Sequence, residues 1–361
     1  MAQVKVLVVD DSAFMRKAIS MMLESDPDIK VVGMGHDGVE GVELVKQLKP
    51  DVVTLDIEMP RMDGLTALKH IMEDNPTPVM MVSSLTTDGA SATLDALQLG
   101  AVDFIPKQLS FVALDIVKIK EELIKKIKYI ALNKHKLLRQ YRSQTKPVFT
   151  PSAEKKDRYK PPPPSLLTCT GRKEMDIVAI GASTGGPPAL QAIIPRLPKN
   201  LPVPVMVVQH MPPTFTKSLA DRLNALSQIT VKEAEDGEPL NAGTAYIAPG
   251  SQHMTVSRAS ASFRIGLSDE PSDTLHRPAV DVMMHSVANV YNSKALGVIL
   301  TGMGHDGLEG LKALKLRGGK VLAQNEESCV VYGMPRSVVE NNLADKVVHI
   351  DKMANEIMAW F

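Results

Sequence analysis

Residues 175–190 read MDIVAIGASTGGPPAL. The apolar run Ile177–Ile180 has the length and composition of a buried strand. It breaks into Gly181-Ala182-Ser183-Thr184-Gly185-Gly186 and resumes at Pro187-Pro188-Ala189-Leu190, where proline suits a first helical turn. Strand, small-residue turn and helix put one hydroxyl, Ser183, at the C-terminal end of a strand, where open α/β sheets place their chemistry. Small neighbours admit a substrate to the backbone, and helix N–H groups can face developing negative charge. The stretch meets G-x-S-x-G literally. On the loop alone two readings stand: a nucleophilic serine or a phosphate-cradling loop.

Working outward, 361 residues suffice for two domains with separate cores. Formal net charge is zero, so nothing global points to nucleic acid. Two cysteines, Cys169 and Cys329, cannot build a disulfide framework, which fits a reducing compartment. No apolar run approaches the roughly 20 residues of a membrane span. The opening MAQVKVLVVDDS enters a strand directly and lacks a signal peptide's architecture. The expectation is a cytoplasmic protein without direct membrane insertion.

Residues 1–125 alternate strand and helix patterns five times, predicting a parallel sheet with helices on both faces. The strands are 4–9, 30–33, 52–55, 78–82 and 101–105, with helices over about 38–48 and 91–99. Their ends carry Asp10-Asp11, Asp56, Ser83 and Lys107. A single strand-end aspartate is ordinarily a helix N-cap. Three carboxylates at one sheet edge instead repel unless a cation joins them, and oxygen-only ligands suit Mg²⁺. Lys107 supplies balancing charge and Ser83 a hydroxyl donor.

These residues resemble a response-regulator receiver domain, which has a flavodoxin-like fold. Asp10-Asp11, Asp56, Ser83 and Lys107 match its acidic pair, phosphoacceptor, switch hydroxyl and lysine, and Phe104 matches its aromatic switch position. The resemblance implies phosphorylation of Asp56 by a histidine kinase, with Mg²⁺ held by Asp10, Asp11 and Asp56. Gln108 departs from the pattern, since receivers usually carry proline after the lysine.

Residues 126–173 read as a helix extension followed by a linker. Between 132 and 173 lie eleven basic and two acidic residues, and prolines 161–164 favour extended geometry. A solvated, semi-stiff tether is the simpler reading; a docking segment for an acidic partner or anionic surface is the other.

Residues 174–361 predict a second, doubly wound and mainly parallel α/β domain. Strands at 177–180, 204–208, 296–300 and 320–322 alternate with helical patterns, one of them opening at Arg277-Pro278. The glycine-rich pieces of 230–270 (ITVKEA, DGEPL, GTAYIAPG, HMTVS, FRIGL) read as antiparallel additions. Three strands thus end in Ser183, His210 and Asp306. A serine hydroxyl needs an adjacent base, and the base needs a group to fix its tautomer. Alone, His210 is more simply a structural histidine and Asp306 a turn residue. Together with Ser183 they form a candidate triad. His253, His276, His285 and His305 are rival bases and Asp281 a rival acid. His305 adjoins Asp306, so their side chains diverge; His253 could line the pocket; Asp281 falls on a helix. The order Ser–His–Asp differs from Ser–acid–His of the α/β-hydrolases. Pro187-Pro188 is unlike a dinucleotide fingerprint.

The combination IGASTGGPPAL, VVQHMPPTF, YIAPGSQHM, RPAVDVMMHS and LTGMGHDG is similar to the chemotaxis protein-glutamate methylesterases, the CheB family. That resemblance implies hydrolysis of glutamate methyl esters on methyl-accepting chemoreceptors, and deamidation of receptor glutamines. It assigns Ser183 as nucleophile, His210 as base, Asp306 as orienting acid, Met303 N–H to an oxyanion hole and Thr184 to site support, with no cofactor for the esterase chemistry. A receiver joined to a hydrolase implies a switch, in which the unphosphorylated receiver partly covers the Ser183 cleft and phosphorylation shifts the face near Phe104. No helix-turn-helix or basic recognition helix follows the linker, so no nucleic-acid partner is expected.

Overall fold

The structure is a computed structural model that describes residues 3–107, 113–144, 174–259 and 262–361. It divides into two compact units, Met1–Val148 and Phe149–Phe361. Among the described residues no helix is long and apolar enough to cross a membrane.

The first unit runs β1 (Val4–Val9), α1 (Ala13–Glu24), β2 (Ile29–Gly35), α2 (Gly38–Leu48), β3 (Val52–Asp56), α3 (Gly64–Asp74), β4 (Val79–Ser83), α4 (Thr87–Gln98), β5 (Asp103–Pro106), α5 (Ala113–Leu132) and α6 (Lys134–Gln144). The strands form one parallel sheet in the order β2-β1-β3-β4-β5. β3 and β4 are buried along their whole length, which is why they read as continuous apolar runs. Each of the first four helices starts on a side-chain cap: Ser12, Asp37, Asp63 and Thr86 accept from the N–H groups of Met15, Glu40, Thr66 and Gly89. α4 therefore begins at Thr87, ahead of the apolar periodicity that marks residues 91–99.

α5 continues past residue 125 and α6 packs against the same unit. Lys126 Nζ lies 2.9 Å from Asp103, and Lys134 Nζ donates to Pro50 O at 2.9 Å. Leu137 is buried. The compact unit consequently includes the stretch read as a helix extension. Residues 145–173, with the four prolines, and Gln108 lie outside the described residues.

The second unit runs β6 (Ile177–Ala182), α7 (Gly186–Ile193), β7 (Val205–Gln209), α8 (Phe215–Leu226), β8 (Thr230–Glu233), β9 (Thr244–Ile247), β10 (His253–Ala259), β11 (Ser262–Ser268), α9 (Val280–Tyr291), β12 (Ala295–Ile299), α10 (Leu308–Leu316), β13 (Lys320–Gln324), α11 (Met334–Glu340), β14 (Lys346–Val348) and α12 (Ile350–Met358). Seven strands form a parallel sheet in the order β14-β13-β12-β6-β7-β9-β8. Among the described residues β10 and β11 pair antiparallel as a two-stranded hairpin, and Pro239 makes an isolated antiparallel bridge to Arg264. The expectation of antiparallel additions thus holds for HMTVS and FRIGL, holds for DGEPL through the single Pro239–Arg264 bridge, and fails for ITVKEA and GTAYIAPG. β8 and β9 are short and pair parallel, with β8 at the sheet edge, joined by a glycine-containing loop.

β6 sits between β7 and β12, the point from which the chain first builds outward one way and later returns to build the other. Such a switch point opens a crevice at the carboxyl ends of the strands. α9 covers the sheet, burying Met283, Met284 and Val287 in one cluster with Ile177, Met206 and Ile299. Each such side chain contributes about 1.5–3 kcal/mol relative to exposure.

Candidate active site and acidic pocket

Ser183 follows β6 and His210 follows β7. The register pairs Ala182 with Gln209, so the next residues, Ser183 and His210, stand side by side at the strand ends. His210 N donates to Ala182 O at 3.1 Å, and Ser183 N donates to Thr301 O at 3.0 Å beyond β12. The serine backbone is thus tied to both neighbouring strands. Gly185 takes φ +76°, the left-handed region where a Cβ is disfavoured, which lets the turn close into α7.

Asp306 is not at a strand end; it lies in the loop between β12 and α10. Its Oδ2 is 2.7 Å from His210 Nε2 and accepts from Val280 N at 2.7 Å, while Oδ1 accepts from Asp281 N at 2.9 Å. Burial would raise this carboxyl, but the His210 hydrogen bond and charge and the two N–H donors outweigh it and hold the group well below the usual carboxylate range. Asp306 is therefore an anion wherever the protein is folded at ordinary pH. The His210 ring nitrogen left over, Nδ1, is buried without a hydrogen bond. With Nε2–H given to Asp306, Nδ1 carries the free lone pair.

The remaining candidates separate by their contacts. His253 is fully buried; its Nδ1 accepts from Ala279 N at 3.1 Å and its Nε2 lies 3.1 Å from Pro271 O, so it anchors the segment ahead of α9. His285 is exposed on α9 and His305 is exposed beside Asp306. Asp281 supports Asp306 through its N–H, and its own Oδ1 accepts from Gly310 N at 2.7 Å. Burial, with the Asp306 charge adding to it, raises the Asp281 carboxyl against that donor. His276 stacks on His210 with ring centroids 4.1 Å apart.

Thr184 is buried, and its carbonyl accepts from Thr301 Oγ1 at 2.9 Å. The Met303 N–H has no hydrogen-bond partner among the described residues. Gly302, before it, lies so close to the serine that a Cβ there would come within 2.8 Å of Ser183 Cβ. Gln209 is a residue the sequence reading passed over. It is buried, and its Nε2 donates to Ser183 O at 2.9 Å and to His210 O at 3.3 Å, fastening the two loops together. Its only sequence signal is its place next to His210.

In the first unit Asp10, Asp11 and Asp56 converge with ligand oxygens all within 4.8 Å of one another. None of them is a helix cap, because Ser12, Asp37 and Asp63 fill those roles. Lys107 Nζ lies 3.2 Å from Asp10 and 2.6 Å from Asp56. Burial pushes Asp56 up to about 6 against the Lys107 hydrogen bond, with the Asp10 charge adding to the rise. An oxygen-only set with more negative charge than one lysine balances fits a hard divalent cation. Ser83 is buried and its Oγ donates to Gly89 O at 3.1 Å. Phe104 is buried, and its carbonyl accepts from Lys126 Nζ at 3.3 Å.

Comparison with known proteins places both units. Residues 178–357 match the CheB methylesterase family model and residues 6–117 the response regulator receiver domain model. A protein-glutamate methylesterase/protein-glutamine glutaminase of Oleidesulfovibrio alaskensis is 52% identical, covering 98% of each chain. One of Nitratidesulfovibrio vulgaris is likewise 52% identical over 98% of each chain. The crystal structure of the Thermotoga maritima CheB methylesterase catalytic domain is 48% identical, covers 52% of this chain and 99% of its own, and superimposes with a TM-score of 0.51. Identity of this degree from end to end has one reading: the chain belongs to the CheB methylesterase family, with a receiver domain ahead of its catalytic domain.

Proposed function

We propose that the chain hydrolyses glutamate methyl esters on methyl-accepting chemoreceptors, and deamidates receptor glutamines, under control of phosphorylation by a chemotaxis histidine kinase. The observation that carries this reading is the 2.7 Å bond between His210 Nε2 and an ionised Asp306, which leaves Nδ1 as a free base beside the Ser183 loop.

Ser183 Oγ attacks the ester carbonyl as His210 Nδ1 takes its proton. The imidazolium that forms is stabilised by Asp306. The oxyanion is received by the Met303 N–H, with Thr184 holding the loop; one such donor is worth about 3 kcal/mol in related sites. As the tetrahedral intermediate collapses, His210 returns the proton to the departing methoxy oxygen, giving methanol, or to the departing nitrogen of an amide, giving ammonia. Water, deprotonated by the same nitrogen, then releases the glutamate and regenerates Ser183.

In the receiver, Asp56 accepts the phosphoryl group. Asp10, Asp11 and Asp56 would hold Mg²⁺, which when bound offsets the negative charge of the incoming phosphoryl oxygens. Lys107 pairs with the modified Asp56, and Ser83 exchanges its bond to Gly89 O for a phosphoryl oxygen. Residues 1–125 serve as the receiver, 126–173 as helix extension and tether, and 174–361 as the esterase.

The test is methanol release from methylated receptor membranes, with and without a small phosphodonor and Mg²⁺. Release that the phosphodonor increases and Ser183→Ala abolishes in a folded protein is the expected result. A Ser183→Ala protein that still releases methanol refutes the triad.

A further inference from the structure

His210 is held by hydrogen bonding at one end of its ring only. Nε2 meets Asp306 Oδ2, and Nδ1 is buried with no bond. A single bond at Nε2 fixes one atom of the ring and leaves the ring plane free to swing about it. For proton transfer the lone pair of Nδ1 must point at Ser183 Oγ, so the plane matters as much as the position.

A second ring lies against that plane. His276 lies face to face with His210, with centroids 4.1 Å apart and planes 21° apart. The His210 side chain is only 8% exposed, so the stack also closes one of its faces to water. His276 begins the short segment that ends in α9, and that segment touches each orienting group of the site. Arg277 O accepts from Ser251 N at 3.2 Å. Ala279 N donates to the buried His253 at 3.1 Å, and Val280 N and Asp281 N donate to Asp306 at 2.7 and 2.9 Å. One stretch, 276–281, therefore fixes the acid through its N–H groups and the base through an aromatic face. The histidine bonded to the acid is His210, at 2.7 Å, and His276 meets that base through its ring face.

We propose that His276 is a positioning residue for the esterase: its ring, stacked on His210, holds the imidazole plane so that Nδ1 faces Ser183. The proposal rests on the reading of His210 as the general base. It assigns His276 no proton to carry and no contact with substrate. What the stack supplies is planarity, hydrophobic cover and an aromatic face, so another flat ring serves as well.

The test uses the full chain with the small phosphodonor, reading kcat and KM for methanol release from methylated receptor membranes. His276→Ala lowers kcat by about tenfold with KM within about twofold, because ring contacts of this kind carry roughly one decade of rate. His276→Phe, which keeps the ring and removes both nitrogens, recovers kcat to within about threefold of the parent. An unchanged kcat in His276→Ala overturns the proposal. So does a His276→Phe protein that is folded by its thermal midpoint yet as slow as His276→Ala, since the role would then lie in the nitrogens. His276→Phe also keeps the test decisive should His276→Ala fail to fold. His210→Ala separates the two levels of inference: with the base removed, activity falls far below that of His276→Ala. Parent-like activity in His210→Ala refutes the base itself, and the positioning role with it.

Discussion

Replacing Asp306 by asparagine keeps the side chain's shape and removes its charge. The amide nitrogen must take the place of one carboxylate oxygen. At the Oδ1 position it faces the Asp281 N–H, so one accepting bond becomes two opposed donors, while a carbonyl still serves Val280 and His210. An unsatisfied buried donor costs about 1–3 kcal/mol. At the Oδ2 position the Val280 bond is lost, and His210 is driven to the tautomer with its proton on Nδ1. Each arrangement leaves one backbone N–H unpaired, Asp281 in the first and Val280 in the second, but the second also forces His210 to change tautomer, so the first is the one expected. The tautomer then stays correct, and the penalty is electrostatic: the imidazolium of the transition state loses its anion. Two unit charges about 4 Å apart at an effective dielectric of about 20 attract by about 4 kcal/mol. That corresponds to about a thousandfold in kcat. The assay is methanol release at saturating substrate by the phosphorylated chain, with a thermal scan to register the lost bond. A loss below about tenfold would refute the claim that Asp306 stabilises His210, since that attraction is worth far more. A loss near 10⁴, the size seen when a triad histidine carries its proton on the wrong nitrogen, together with a ¹⁵N spectrum showing the proton on Nδ1, would refute the bond accounting.

Other outcomes can be checked in parallel. Gly302→Ala places a methyl against the Met334 sulfur and 2.8 Å from Ser183 Cβ; kcat is expected to fall by about a hundredfold as the serine shifts, and parent-like kinetics would show that the loop yields freely. Burial, with the Arg277 charge adding to it, lowers the His253 pKa against the Pro271 bond, so the folded state resists a proton that the unfolded state accepts below about 6.5. The stability tied to His253 is therefore complete above about pH 6.5 and falls as pH drops toward the folded-state value. The thermal midpoint should decline less between pH 7 and 5 in His253→Gln than in the parent, and equal slopes would refute the assignment. Asp56→Asn should remove the phosphodonor's effect on methanol release while leaving the basal rate. Residues 174–361 alone should outpace the unphosphorylated chain; equal rates would make the receiver a targeting module only.

Much of this molecule was legible in the chain itself. Buried parallel strands leave continuous apolar runs, so the βα repeats of both units could be placed within a few residues, and a serine among small residues advertised itself. The family motifs did the rest for His210 and Asp306. Two things were not legible. Sheet edges carry little pattern: β8 is short and partly exposed, and its parallel pairing with β9 depends on long-range contacts. β14 and α11 went unplaced for a similar reason: short elements give periodicity too few residues to act on.

The sequence by itself determined which groups are present: a strand-end serine, a histidine, an acid, and an aspartate set with a lysine. The tertiary structure decided what each group does there. Strand order put β6 at the switch point and register set Ser183 beside His210. A segment nearly a hundred residues after the serine brought N–H donors to Asp306 and a second imidazole onto His210. Orientation, burial and charge balance are properties of non-local contacts. A triad can therefore be listed from a chain, but its working geometry exists only once the chain is folded.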